Sequence, residues 1–94
     1  MKAELFHFTS WFSTTDPEFL KNEGTKLLEG AEFEILGFLD HKFSPIGYTC
    51  LWLLGESHLA IHTFPEESKS YIELTSCTEV KLKKFVGLFE NKFG

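Results

Sequence analysis

The 94-residue chain has no arginine: all nine basic residues are lysine, set against fourteen acidic ones for a formal charge of −5. Without guanidinium forks to grip phosphate, and with a net charge of the wrong sign, the chain is not expected to bind nucleic acid. Cysteine is scarce as well. Cys50 and Cys77 lack CxxC spacing, so neither a disulfide framework nor a cysteine-rich metal site is expected, and each is an apolar filler or a working thiol. No run approaches the roughly 20 apolar residues of a membrane span. The opening MKAELFHFTSWF carries Glu4 and does not resemble a secretory leader, which makes the cytoplasm the expected location. Repeats, linkers and low-complexity segments are also missing. A chain of this length forms one domain, 1–94, and is too small to wall a many-sided site alone, so a homo-oligomer is expected.

Apolar residues make up 43% of the chain and aromatic ones 16%, with eleven phenylalanines, enough to bury a real core. An acidic, ring-rich protein suits a cationic small molecule, which carboxylates and aromatic faces can hold together. Residues 3–12 alternate loosely and read as a strand. A helix follows, with Asp16 as N-cap, Pro17 in the first helical position and Gly30 as its stop. Gly24 in its middle costs about 1 kcal/mol relative to alanine, so Phe19, Leu20, Leu27 and Leu28 must hold it by packing. AEFEILGFLDHKF, GYTCLWLL, SHLAIHTF and YIELTSC read as further strands, with Gly55 at a tight turn and PEESKS as a polar turn. The last segment is a helix presenting Leu82, Phe85, Val86, Phe89 and Phe93 on one face. The order predicts an α+β fold: a two-layer α/β sandwich, antiparallel sheet with two helices on one face.

Chemistry concentrates in GESHLAIHTFPE, residues 55–66. His58 and His62 stand four apart, a metal-binding spacing on a helix; on a strand they are about 13 Å apart, too far to share one ion. A hydrolase triad of Ser57, His62 and Glu56 or Glu66 lacks the second glycine of the G-x-S-x-G elbow. A serine after a turn and a histidine on a strand are also common with no chemistry at all.

Three stretches taken together narrow the choice. HKFSPIGYT at 41–49, GESHLAIHTFPE at 55–66 and IELTSC at 72–77 resemble the prokaryotic S-adenosylmethionine decarboxylase family in order and spacing, over about residues 3–92. The resemblance implies a proenzyme that cuts itself between Glu56 and Ser57 into 1–56 and 57–94 chains. Ser57 then becomes a pyruvoyl group, with no metal, that forms a Schiff base with the amine of S-adenosylmethionine and takes up electrons as carbon dioxide leaves, making the aminopropyl donor for spermidine. Only a side chain with a β-oxygen or β-sulfur permits such self-cleavage, since the ester it forms must undergo β-elimination.

On the same resemblance His62 is the processing base, Cys77 the proton donor to product, and Thr49 stands where the family usually has serine, assisting the cut. Phe43 and Phe64 would line the ligand, Phe64 standing where many members have tryptophan, and Glu66 would accept hydrogen bonds from the ribose. Phe6 or Phe8 could add a wall. The family implies a dimer with the site between chains, Ser57, His62 and Cys77 of one copy facing aromatic residues of the other. The chain stops at NKFG, where the family usually continues, which bears on dimer geometry. Rival expectations are a pyruvoyl decarboxylase of arginine or ornithine, and a non-processing homologue that only binds partners; the second would be marked by loss of Ser57, His62 or Cys77, all of which are present. The sequence leaves activation by putrescine open and gives His58 no role.

Overall fold

The structure, a computed structural model, describes residues 3–55 and 57–94. Its elements are β1 (Phe6–Phe12), α1 (Pro17–Gly30), β2 (Ile35–Lys42), β3 (Tyr48–Leu54), β4 (Ser57–Phe64), a short 3₁₀ turn (Pro65–Glu67), β5 (Lys69–Ser76) and α2 (Glu79–Phe93). The strands form one antiparallel sheet in the order β1-β5-β4-β3-β2. Both helices cover one face, which is the expected two-layer α+β sandwich.

Local chemistry accounts for α1. The Asp16 carboxylate accepts the Phe19 N–H at 2.9 Å, and Pro17 fills a position where no helical N–H is needed. The helix ends at Gly30, as expected. That residue is still helical, Ala31 is the cap, and the chain reverses at Glu32, whose φ of 67° is left-handed for a residue that is not glycine. The Phe33 N–H to Leu28 O bond at 3.0 Å closes the reversal, and the Glu32 carboxylate pairs with Lys84 of α2, which lowers its pKa. Gly24 has a packing reason. A β-carbon there would lie 2.5 Å from Cη2 of Trp52, so glycine lets α1 settle against that ring.

Strand alternation divides the sheet. Tyr48, Cys50, Trp52 and Leu54 of β3, Leu59 and Ile61 of β4, and Ile72 and Leu74 of β5 point under the helices and are buried with Leu20, Leu28, Phe85 and Phe89. Phe6 and Phe8 also turn this way: they pack against the core, Phe8 edge-on to Phe89 with centroids 5.5 Å apart, and so give no wall to a site on the other face. That other face, carrying His7, Thr9 and Trp11 of β1 and their alternating counterparts on the remaining strands, has no helix over it among the described residues. Among the described residues no helix is long and apolar enough to cross a membrane.

Candidate active site

The strand register sorts the open face into rows. The first contains His7, Thr75, His58, Leu53 and Gly37; the second Thr9, Glu73, Ala60, Leu51 and Leu39; the third Trp11, Tyr71, His62, Thr49 and His41. Leu39 and Leu53 are 73% and 58% exposed, so much of the β2–β3 half of this face is bare hydrocarbon. Two grooves run over it. One of about 300 Å³ is lined by Leu39, Leu51, Leu53 and His58, and one of about 260 Å³ by Leu39, His41 and Thr49 among others.

Ser57 opens β4 and pairs with Ser76, the last residue of β5. The Ser76 hydroxyl accepts the Thr78 N–H at 2.9 Å, and Cys77, between them, is exposed one residue along the chain from the partner of Ser57. The two cysteines thus separate in role. Cys50 is fully buried, and burial pushes its thiol up to about 12, so it is a filler; Cys77 is the accessible thiol. Beside Cys50, the buried Tyr48 hydroxyl donates to Asp40 at 2.7 Å, and burial together with that bond raises its pKa. Glu56 lies outside the described residues, and with it the other half of the expected cleavage bond.

His62 and Thr49 meet: Nδ1 and Oγ1 are hydrogen bonded at 3.0 Å across β4 and β3. They do not meet Ser57. Five residues along a strand span about 16 Å, and the odd separation puts the Ser57 and His62 side chains on opposite faces. No Ser57–His62 triad is therefore built within one chain. His58 and His62 share a face, but no group of three or more potential metal ligands exists among the described residues.

The expected ligand-binding residues gather at the far end of the sheet. Phe64 closes β4, about 23 Å along the strand from Ser57, with its ring 5.8 Å from Trp11, and Trp11 in turn lies 5.0 Å from Tyr71. Glu66 is exposed in the 3₁₀ turn. Phe43 stands on the β2–β3 connection, half-exposed and edge-on to His41 at 4.5 Å. No motif marks His7, Trp11 or Tyr71; for His7 and Trp11 the available signal is their period-two spacing with Thr9, which sets them opposite in face to Phe6, Phe8 and Phe12.

Fold and site together define a two-layer α+β protein with a serine at the head of a central strand and an accessible cysteine one residue along the chain from its pairing partner. A family model described as S-adenosylmethionine decarboxylase matches residues 7–94, and the chain belongs to that family. It is 42% identical over 64 residues to the S-adenosylmethionine decarboxylase proenzyme of Brevibacillus brevis, covering 68% of this chain and 48% of that one. It is 39% identical over 62 residues to the proenzyme of the same name from Prochlorococcus marinus (strain MIT 9313), covering 66% and 50%. The chain thus matches about half the length of these curated relatives. The crystal structure of the adenosylmethionine decarboxylase from Aquifex aeolicus superposes with a TM-score of 0.82 at 20% identity, covering 98% of this chain and 82% of that one, a likeness of fold.

Proposed function

We propose that the chain is the proenzyme of a pyruvoyl-dependent S-adenosylmethionine decarboxylase of the cytoplasm, cut between Glu56 and Ser57 and working as a homodimer. The observation that carries this reading is the Ser57–Ser76 pairing, which sets an accessible thiol, Cys77, one residue along the chain from the partner of the serine that the family motif marks for conversion. The sheet order suits a cut chain. The segment after the cut supplies β4 and β5, which lie between β3 and β1 of the segment before it, so both pieces stay interleaved.

In the cut, the Ser57 hydroxyl attacks the carbonyl of Glu56, the amide becomes an ester, and removal of the Ser57 α-proton expels the Glu56 carboxylate. The resulting enamine hydrolyses to the keto group with loss of ammonia. His62, oriented by the Thr49 hydroxyl, takes the α-proton. Since His62 of the same chain is out of reach, His62 and Thr49 in this reading come from a second copy. Each site then draws Ser57 and Cys77 from one copy and Thr49, His62, Phe43, Phe64 and Glu66 from the other. Residue 57, once a pyruvoyl group, supplies an electron sink for loss of the carboxylate. Cys77 holds a proton for the product α-carbon, Phe43 and Phe64 stack on adenine and face the sulfonium, and Glu66 accepts from the ribose hydroxyls.

Intact-mass spectrometry tests the reading. Two chains split at Glu56/Ser57, the second with a carbonyl-reactive N-terminus, are expected, together with release of labelled carbon dioxide from S-adenosylmethionine and not from arginine or ornithine. A single chain that never matures would overturn it.

A further inference from the structure

We propose that His7 and His58, with the Thr75 hydroxyl between them, receive the carboxylate that the substrate loses. The inference rests on the decarboxylase reading above. With no arginine in the chain, side chains able to donate to a carboxylate are few on the open face. Lys69 lies at the far end, over the Trp11 ring at 4.5 Å and paired with Glu67 at 3.2 Å. His62 is joined to Thr49, and His41 sits on the edge strand against Phe43. His7 and His58 are the two histidines of the row next to Ser57.

Their setting is built for this. His58 follows Ser57 directly and lines the apolar groove together with Leu39, Leu51 and Leu53. His7 is two strands away, about 10 Å between Cα atoms, and its Nδ1 is hydrogen bonded to Thr75 Oγ1 at 3.1 Å, which fixes the ring and leaves Nε2 for a ligand. Glu73, one row further in, repels an anion and so confines a carboxylate to the Ser57 end of the face. Donors here grip a charge that vanishes as carbon dioxide forms. They strengthen binding of the substrate without favouring the transition state, so their loss raises KM and not the barrier from the bound complex.

The test uses the mature two-chain enzyme. His7→Leu is expected to raise KM for S-adenosylmethionine by about tenfold or more, as for a lost hydrogen bond to a charged group. It should not lower kcat, and it should leave the inhibition constant of the decarboxylated product within about twofold, because that product has no carboxylate. His7→Gln, which keeps an N–H donor, should recover part of the loss. Thr75→Val removes only the hydroxyl that anchors the ring and should give the same pattern more weakly, which keeps the test available if His7→Leu fails to mature. A parallel rise in KM and in the product's inhibition constant, or an unchanged KM in both variants, would overturn the assignment. A wild-type chain that stays whole or releases no carbon dioxide would fell the decarboxylase reading itself, whereas an active wild type with insensitive variants fells only the carboxylate site.

Discussion

Complementation between two inactive variants tests whether the site is shared. Ser57→Ala removes the group that is converted, and His62→Ala removes the base, so neither is expected to mature alone; loss of a general base typically costs about a hundred- to ten-thousandfold in rate. The Ser57–His62 separation of about 16 Å, on opposite faces of β4, is the reason the proposed reading takes the base from the other copy. When both variants are co-expressed in equal amounts and pair at random, about half of the dimers are mixed, and each twofold-symmetric mixed dimer contains one complete site. That site cuts only the chain bearing His62→Ala, because this chain keeps Ser57. About half of those chains, roughly a quarter of the total, should therefore split, and intact-mass spectrometry separates the two variants by their masses. Maturation of His62→Ala alone, or no maturation of the co-expressed pair under conditions where mixed dimers are isolated by affinity tag, would refute the reasoning.

Two stability predictions concern the packed face. Gly24→Ala should destabilise by up to about 2 kcal/mol in urea denaturation, because overpacking costs about 1–3 kcal/mol while the gain in helix propensity is about 1; the new methyl would lie 2.5 Å from the Trp52 ring, which is buried and tied to Thr25 by its indole N–H at 3.1 Å. A stabilised variant would show that the ring can retreat. Stability should also fall as pH rises from about 9 to about 12, since the Cys50 thiol, raised from 9.0 to about 12, stays protonated in the fold while the unfolded chain has already released its proton. Cys50→Ala should flatten that alkaline limb in thermal melts, although Tyr48, also raised, will keep some slope above pH 10.

Elements whose signals are local are legible in the residue pattern alone. Asp16 and Pro17 announce the start of α1, alternation bounds β4 at Ser57–Phe64, and helical spacing marks the buried face of α2. The end of α1 is legible at Gly30, but the reversal just beyond it at Glu32 is not, because contacts beyond the helix sustain it, among them the pair with Lys84. Gly24 reads as a cost for the same reason: Trp52, which requires it, is far away in sequence.

The sequence by itself determined the family, the candidate chemistry of Ser57, His62 and Cys77, and the class of fold, since each depends on residue types and their spacing along one chain. Tertiary structure alone decided which residues are neighbours. Only the β4–β5 register brings Cys77 to Ser57, only the β3–β4 pairing joins Thr49 to His62, and only the pairing of β1 with β5 brings His7 to the same row as His58. Strand pairing depends on long-range contacts that no local pattern encodes, and a shift of one residue would carry every one of these side chains to the other face.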